Sequence, residues 1–294
     1  MDLNTFIIAV FYEVDNWFMQ QEKLRERGPG PELSDSEVLT MEIVGEFLGM
    51  HAEKGLYTYF KGHYAEWFPA LREIHRTTFT RQMANLWVAK ERLWRHLLHR
   101  IGFDPQISLV DSFPVPTCRF ARAYRCRILA EESAFGYDET SKQTFYGLRA
   151  HLRVAWPGVI VGVSLAPANV HDLSVAEELL EGTQGWALGD RNYHSPDLAE
   201  RLLAGEGLRL LSPYKSKKRE KEPWPHWLVQ KRRRIETVIS QLVERYGARK
   251  VWARDRWHLT SRWLRKVLSH TMAVFLCQQE ADLPPLRFAE LLTD

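Results

Sequence analysis

Cysteine is scarce in this 294-residue chain, and its three copies, Cys118, Cys126 and Cys277, form no CxxC pair. An odd, scattered set argues against a disulfide framework or a zinc site and points to free thiols in a reducing cytosol. Long apolar runs are missing as well. The stretch 272–277 is far too short to cross a bilayer, so no membrane partner is expected. The first residues include Asp2, Glu13 and Asp15 and lack a basic leader pattern, so no secretory signal and a cytoplasmic location are expected. Net charge is only +3 at pH 7, which excludes a globally basic scaffold. No internal repeat and no low-complexity tract occur.

What is present is ordinary globular composition, 45% hydrophobic and 26% charged, with length enough for two domains. Charge is unevenly spread. Lys and Arg crowd 215–234, whereas Glu177, Glu178 and Glu181 mark an acidic helix. A local basic stripe on a near-neutral protein points to a polyanionic partner. Eleven tryptophans supply core packing and, among basic residues, stacking surfaces for bases.

Residues 1–101 read as helical. Leu3, Ile7, Val10, Phe11, Val14, Trp17 and Phe18 recur at helical spacing, and two Gly and two Pro in 25–31 end that helix. Ser34 with Glu37 makes a capping box ahead of Val38, Leu39, Ile43 and Val44. A Gly- and aromatic-rich connection leads to a further helical run over 79–98. Arg and Lys on the outer faces fit a helix-turn-helix-like DNA module as well as a plain helical support.

After Gly102 the period changes. Strands are expected over 107–111, 145–154, 159–165, at a run ending on Asp190, and over 208–211. Helices are expected over 174–180, 196–204 and from the basic segment to about Tyr246. Trp156-Pro157-Gly158 makes a hairpin turn. The order βββαβαβα gives an α/β fold with a mixed sheet flanked by helices.

Three acids stand at telling places. Asp111 shares a strand face with Ile107 and Leu109, and Asp190 shares one with Trp186 and Leu188. Gly189, without a side chain, is expected to let a substrate backbone approach. Glu236 borders the apolar stripe Ile235, Val238, Ile239, Leu242, Val243 and Tyr246 of the last helix, one turn after Arg232. Carboxylates held close together suit divalent cations, and paired hard cations serve phosphodiester chemistry. Taken singly, each acid has a plainer use as a cap, a turn former or a surface ion pair. On the residues alone both readings stay open.

Five motifs in order carry a resemblance: Val-Asp-Ser-Phe-Pro-Val-Pro at 110–116, Tyr-Gly-Leu-Arg-Ala-His at 146–151, Pro-Ala-Asn-Val-His-Asp at 167–172, Gly-Asp-Arg-Asn-Tyr at 189–193 and Arg-Ile-Glu-Thr-Val-Ile-Ser-Gln-Leu at 234–242. Together they resemble the DDE transposases of bacterial insertion sequences. The resemblance implies a ribonuclease-H-like core over 102–280, with 1–101 as a helical domain able to bind DNA and 281–294 as a tail. It implies that Asp111, Asp190 and Glu236 are the catalytic residues and the ligands of two Mg²⁺ ions, for which Mn²⁺ can substitute. The implied activity is cleavage at the terminal inverted repeats and transfer of the 3′ hydroxyl to target DNA. A homodimer would hold two ends, associated with the nucleoid when on DNA. The rivals are a metal-dependent nuclease without strand transfer and an inactive DNA-binding derivative. Arg191 and Asn192 stand where many relatives have Lys-Gly, and Val229 and Val243 where they often have Tyr and Lys. The large β insertion of some relatives is absent.

Around the acids, Lys215, Lys217, Lys218, Arg219, Lys231, Arg232, Arg233 and Arg234 are expected to meet DNA phosphates. The arginines of 119–127 are a second candidate. His151, His171 and Asp172 match family motifs as supporting residues; imidazole suits zinc or iron better than Mg²⁺, so they are not expected as ligands. Trp224 and Trp227 are set to stack on an unpaired base or to anchor the helix start.

Overall fold

The computed structural model describes residues 1–21, 30–214 and 224–293. The chain divides into two compact units, Met1–Ile101 with Leu242–Ala248 and Asp255–Asp294, and Gly102–Gln241 with Arg249–Arg254.

The first unit begins with α1 (Leu3–Met19), whose N-cap Asp2 accepts from the Thr5 N–H at 2.9 Å. Helix α2 (Asp35–Phe47) starts at the expected capping box of Ser34 and Glu37. Helix α3 (Glu53–His63) occupies what the sequence reads as a connection; Gly55 and Gly62 mask a helix that buries Leu56 and Phe60, four apart. The expected run over 79–98 is two helices, α4 (Arg76–Asn85) and α5 (Trp87–Leu98). Both halves keep helical periodicity, so the break at Leu86 leaves no mark in the pattern.

The second unit contains β1 (Asp104–Pro116), β2 (Ala134–Asp138), β3 (Gln143–Trp156), β4 (Val159–Pro167), α6 (Asp172–Leu180), β5 (Gly185–Leu188), α7 (Pro196–Glu206), β6 (Leu208–Leu211) and all but the last three residues of α8 (His226–Glu244). Short 3-10 turns span Phe120–Arg125 and Arg191–Tyr193. The sheet order is β2-β3-β1-β5-β6, with β4 also paired to β3. Strand β1 lies antiparallel to β3 and parallel to β5, which in turn lies parallel to β6.

Strand β1 outruns its expected end at Asp111 despite Pro114 and Pro116. Prolines two apart lose N–H groups that point to the same edge. Beyond Leu109 that edge has no β5 pairing, while β3 stays paired as far as Gly147 and the Thr117 N–H donates to the Tyr146 carbonyl. One sheet face is filled by Val110, Ala187, Leu208 and Leu210 against Ala176, Leu179 and Leu180 of α6 and Leu198 and Leu202 of α7. Helix α7 stops at Gly207, in the left-handed conformation that glycine adopts without strain.

The last helices, α9 (Arg256–Gln279) and α10 (Phe288–Leu291), return to the first unit. Helix α9 packs on α2, α4 and α5. The expected boundary at 280 therefore differs from the division found, because α9 belongs with the helical unit. The reason is ionic as well as apolar. Lys90 of α5 donates to Glu42 of α2 at 2.7 Å and to Ser261 of α9 at 2.8 Å, all buried. Glu46 of α2 is clasped by Arg265 and Lys266 of α9. Among the described residues no helix is long and apolar enough to cross a membrane.

Candidate active site

The parallel register of β1 and β5 builds the centre of the site. Leu109 pairs with Leu188, and Asp111 and Asp190 each stand two residues further along neighbouring strands. Asp111 lies within β1 and Asp190 just past the end of β5, near enough for the charge of one to act on the other. Asp111 accepts the Ser112 N–H at 2.8 Å. Burial, and then the charge of Asp190, push its carboxyl up to about 7, although the Ser112 N–H and Arg232 act the other way. Asp190 is raised too, by burial first and also by Asp172, against the bonds it accepts. It caps the Arg191–Tyr193 turn, accepting from Asn192 N at 2.9 Å. The plain role of a cap and a place in the acid pair coincide in one residue.

Glu236 comes from α8 and is handled differently. It is 53% exposed and accepts from Arg232 at 3.1 Å. The same Arg232 charge lowers both Asp111 and Asp190, so one guanidinium serves all three acids. Asp111 and Asp190 are thus brought together. Among the described residues, however, no three His, Cys, Asp or Glu groups gather closely enough to hold one ion.

Behind the pair lies a layer that the sequence only partly signals. Asp172 opens α6 and accepts from Ser112 Oγ at 3.1 Å, with Arg149 at 3.9 Å and His151 Nδ1 at 3.7 Å. His151 is fully buried and its ring is pushed down to about 4 by burial, so it stands neutral at physiological pH. His171 caps α6, accepting the Leu173 N–H at 3.2 Å. Ser112 and Arg149 are the additions here; both sit inside the motifs of β1 and β3, Arg149 on the polar side of the β3 alternation. Tyr193 is a third addition, with a buried hydroxyl whose proton is held far more tightly than usual by burial and by Asp172, Asp111 and Asp190.

Gly189 is corrected by this layer. A Cβ there would lie 2.7 Å from Tyr193 Cβ and 2.8 Å from its Cγ. The missing side chain makes room for the Tyr193 ring, not for a substrate backbone.

Of the basic residues, Lys215, Lys217, Lys218 and Arg219 lie outside the described residues. Lys231 and Arg234 lie over the Trp156 ring at 3.9 and 5.4 Å from its centre, Arg232 faces the acids, and Arg233 is exposed. Trp227 is exposed, while Trp224 lines a cavity of about 340 Å³ with His194, Tyr214 and Leu228. All three cysteines are free thiols.

Two buried carboxyl groups with raised proton affinity, an all-oxygen donor set, fit a hard divalent cation such as Mg²⁺ or Mn²⁺. The mixed sheet flanked by helices is that of a ribonuclease-H-like fold. The family described as transposase DDE domain matches residues 102–248, half of the chain. The chain belongs to that family. No curated protein and no solved structure matches it.

Proposed function

We propose that this chain is the transposase of a bacterial insertion sequence. It binds the element's terminal inverted repeats, cuts DNA there and joins the freed 3′ hydroxyl to target DNA. One observation carries the reading: Asp111 within β1 and Asp190 just past β5 each stand two residues beyond the Leu109–Leu188 pair, near enough for the Asp190 charge to help raise the Asp111 carboxyl. Burial first, and then the Asp190 charge, make the ionised Asp111 costly, and a bound dication would offset both by neutralising the charge.

Asp111, Asp190 and Glu236 are assigned as the catalytic acids and as holders of two Mg²⁺ ions, with Mn²⁺ a substitute. Bound there, the ions supply Lewis acidity to the phosphate and lower the pKa of water. The chain's residues do the rest. Arg232 presents a guanidinium beside the acids, suited to phosphate oxygens. Asp172, Ser112 and Arg149 tie the start of α6 to β1 and β3, which keeps the Asp111 segment of β1 from shifting. Lys215, Lys217, Lys218, Arg219, Lys231, Arg233 and Arg234 neutralise the DNA backbone, and a homodimer brings two ends together. No Ser or Tyr nucleophile is required.

The test is a labelled duplex carrying the element's end, with a supercoiled target plasmid. Wild type should give Mg²⁺-dependent cleavage and joined products, and Asp111→Asn or Asp190→Asn should lose about a hundredfold or more. Unchanged cleavage by Asp190→Asn would refute the site. Cleavage without joining would establish the nuclease reading. Binding without cleavage would establish the inactive derivative, whose one support is the bond of Glu236 to Arg232.

A further inference from the structure

Past Asp111, β1 runs five residues to Pro116 and passes the chain to the Phe120–Arg125 turn. Arg119, Arg122, Arg125 and Arg127 in this segment are all exposed, and none joins an ion pair among the described residues. The nearest acid of β2, Asp138, is already engaged by Arg249, Thr140 and Ser141. Glu131 and Glu132 follow on the connection to β2.

Aromatic rings are set among these cations. Phe120 and Tyr124 of the turn are 48% and 86% exposed, and Phe135 and Tyr137 of β2 are 40% and 51% exposed. Phe135 and Tyr137 are two apart on a strand and share a face. Phe120 and Tyr124 lie 6.3 and 5.1 Å from Phe135, which rests on Tyr146 at 5.0 Å. The cluster is therefore anchored from below and open above. Four half-open rings are costly to leave against water, and a surface of this kind marks an interaction site.

The partner follows from the two chemistries together. Guanidinium groups without internal counterions call for a polyanion. Ring faces call for flat partners, and duplex DNA keeps its base faces stacked inside. Unpaired nucleotides offer both phosphate and base face. We propose that the surface formed by residues 119–137 binds single-stranded DNA, with bases on Tyr124, Phe135 and Tyr137 and phosphates on the arginines. The source of that strand rests on the transposase reading. Five residues of strand span about 17 Å, so the surface would engage nucleotides a few positions from the cut.

The experiment measures binding of a labelled oligothymidine and of an equally long duplex to the full-length chain, without divalent metal, across a salt series. Tyr124→Ala/Tyr137→Ala should weaken the single strand about tenfold and leave the duplex within about twofold. Arg122→Ala/Arg125→Ala should weaken the single strand and flatten its salt dependence. Photocrosslinking of an iodouracil oligonucleotide to wild type should label the peptide spanning 119–137, a readout that needs no variant. Unchanged single-strand binding, equal loss on both DNAs, or crosslinks confined elsewhere would overturn the proposal. So would a double variant whose only change is loss of self-association, which would make the surface a contact between two copies. Failure here leaves Asp190-dependent cleavage intact, whereas failure of the transposase reading abolishes cleavage and leaves this binding, so the two are separable.

Discussion

Asp111 gives the sharpest statement at the scale of one residue. Its folded pKa, about 7, lies above its ordinary value of 3.8. Between those values the folded chain keeps a proton that the unfolded chain has released. Stability therefore falls as pH rises from about 4 to 7, by at most about 4 kcal/mol, and the loss is complete above 7. Asp111→Asn removes this dependence, so urea unfolding at pH 8 should find the variant more stable than wild type, and at pH 4.5 little changed. A variant weaker at pH 8 would show that the acid is not under strain. Gly189 predicts the opposite sign. Gly189→Ala drives a methyl into the Tyr193 ring and should cost about 1–3 kcal/mol in the same measurement. Tyr193→Phe, which deletes a buried hydroxyl without a hydrogen-bond partner among the described residues, should cost little or nothing.

At the scale of elements, α8 matters because Arg232 works on β1 and β5 from a helix. Its charge lowers both Asp111 and Asp190. With Arg232→Gln the two acids hold protons to higher pH, so the acidic limb of the cleavage rate should move to alkaline pH; an unmoved limb would separate Arg232 from the acids. Much of this layout is legible in the sequence. Apolar alternation ending in Asp fixes where β1 and β5 deliver Asp111 and Asp190, and the stripe of α8 sets Glu236 one turn from Arg232. Other elements were hidden for physical reasons. Strand β2 is five residues long with Gly136 at its centre, where a Cβ would strike Ala168 at 2.7 Å. Helix α9 buries Arg265, Lys266 and His270, so a search for apolar periodicity passes over it. Their partners Glu42 and Glu46 lie about two hundred residues away, beyond any local window.

For the whole molecule, that ionic centre should dominate the stability of the helical unit. Burial opposes the charge of Glu46, yet Arg265 and Lys266 outweigh it and hold the carboxyl at about 2. Glu46→Ala strands two buried cations and should cost about 3–5 kcal/mol in thermal or urea unfolding. Replacement of Glu46, Arg265 and Lys266 together by apolar residues should recover much of that loss. Divalent cation should act on the whole chain as well. At a hundred times its dissociation constant, Mg²⁺ is expected to stabilise wild type by about 2.7 kcal/mol, and Asp111→Asn/Asp190→Asn by far less.

The return of α9 to the N-terminal helices also has a consequence in time. During synthesis α2, α4 and α5 leave the ribosome long before the helix that completes their core, with the entire sheet made in between. At about 5–20 residues per second, that interval is roughly 10–40 s. Glu46 must wait that long for Arg265 and Lys266, and the apolar faces beside it for their cover, so nascent chains stalled before α9 should be the species that chaperones hold.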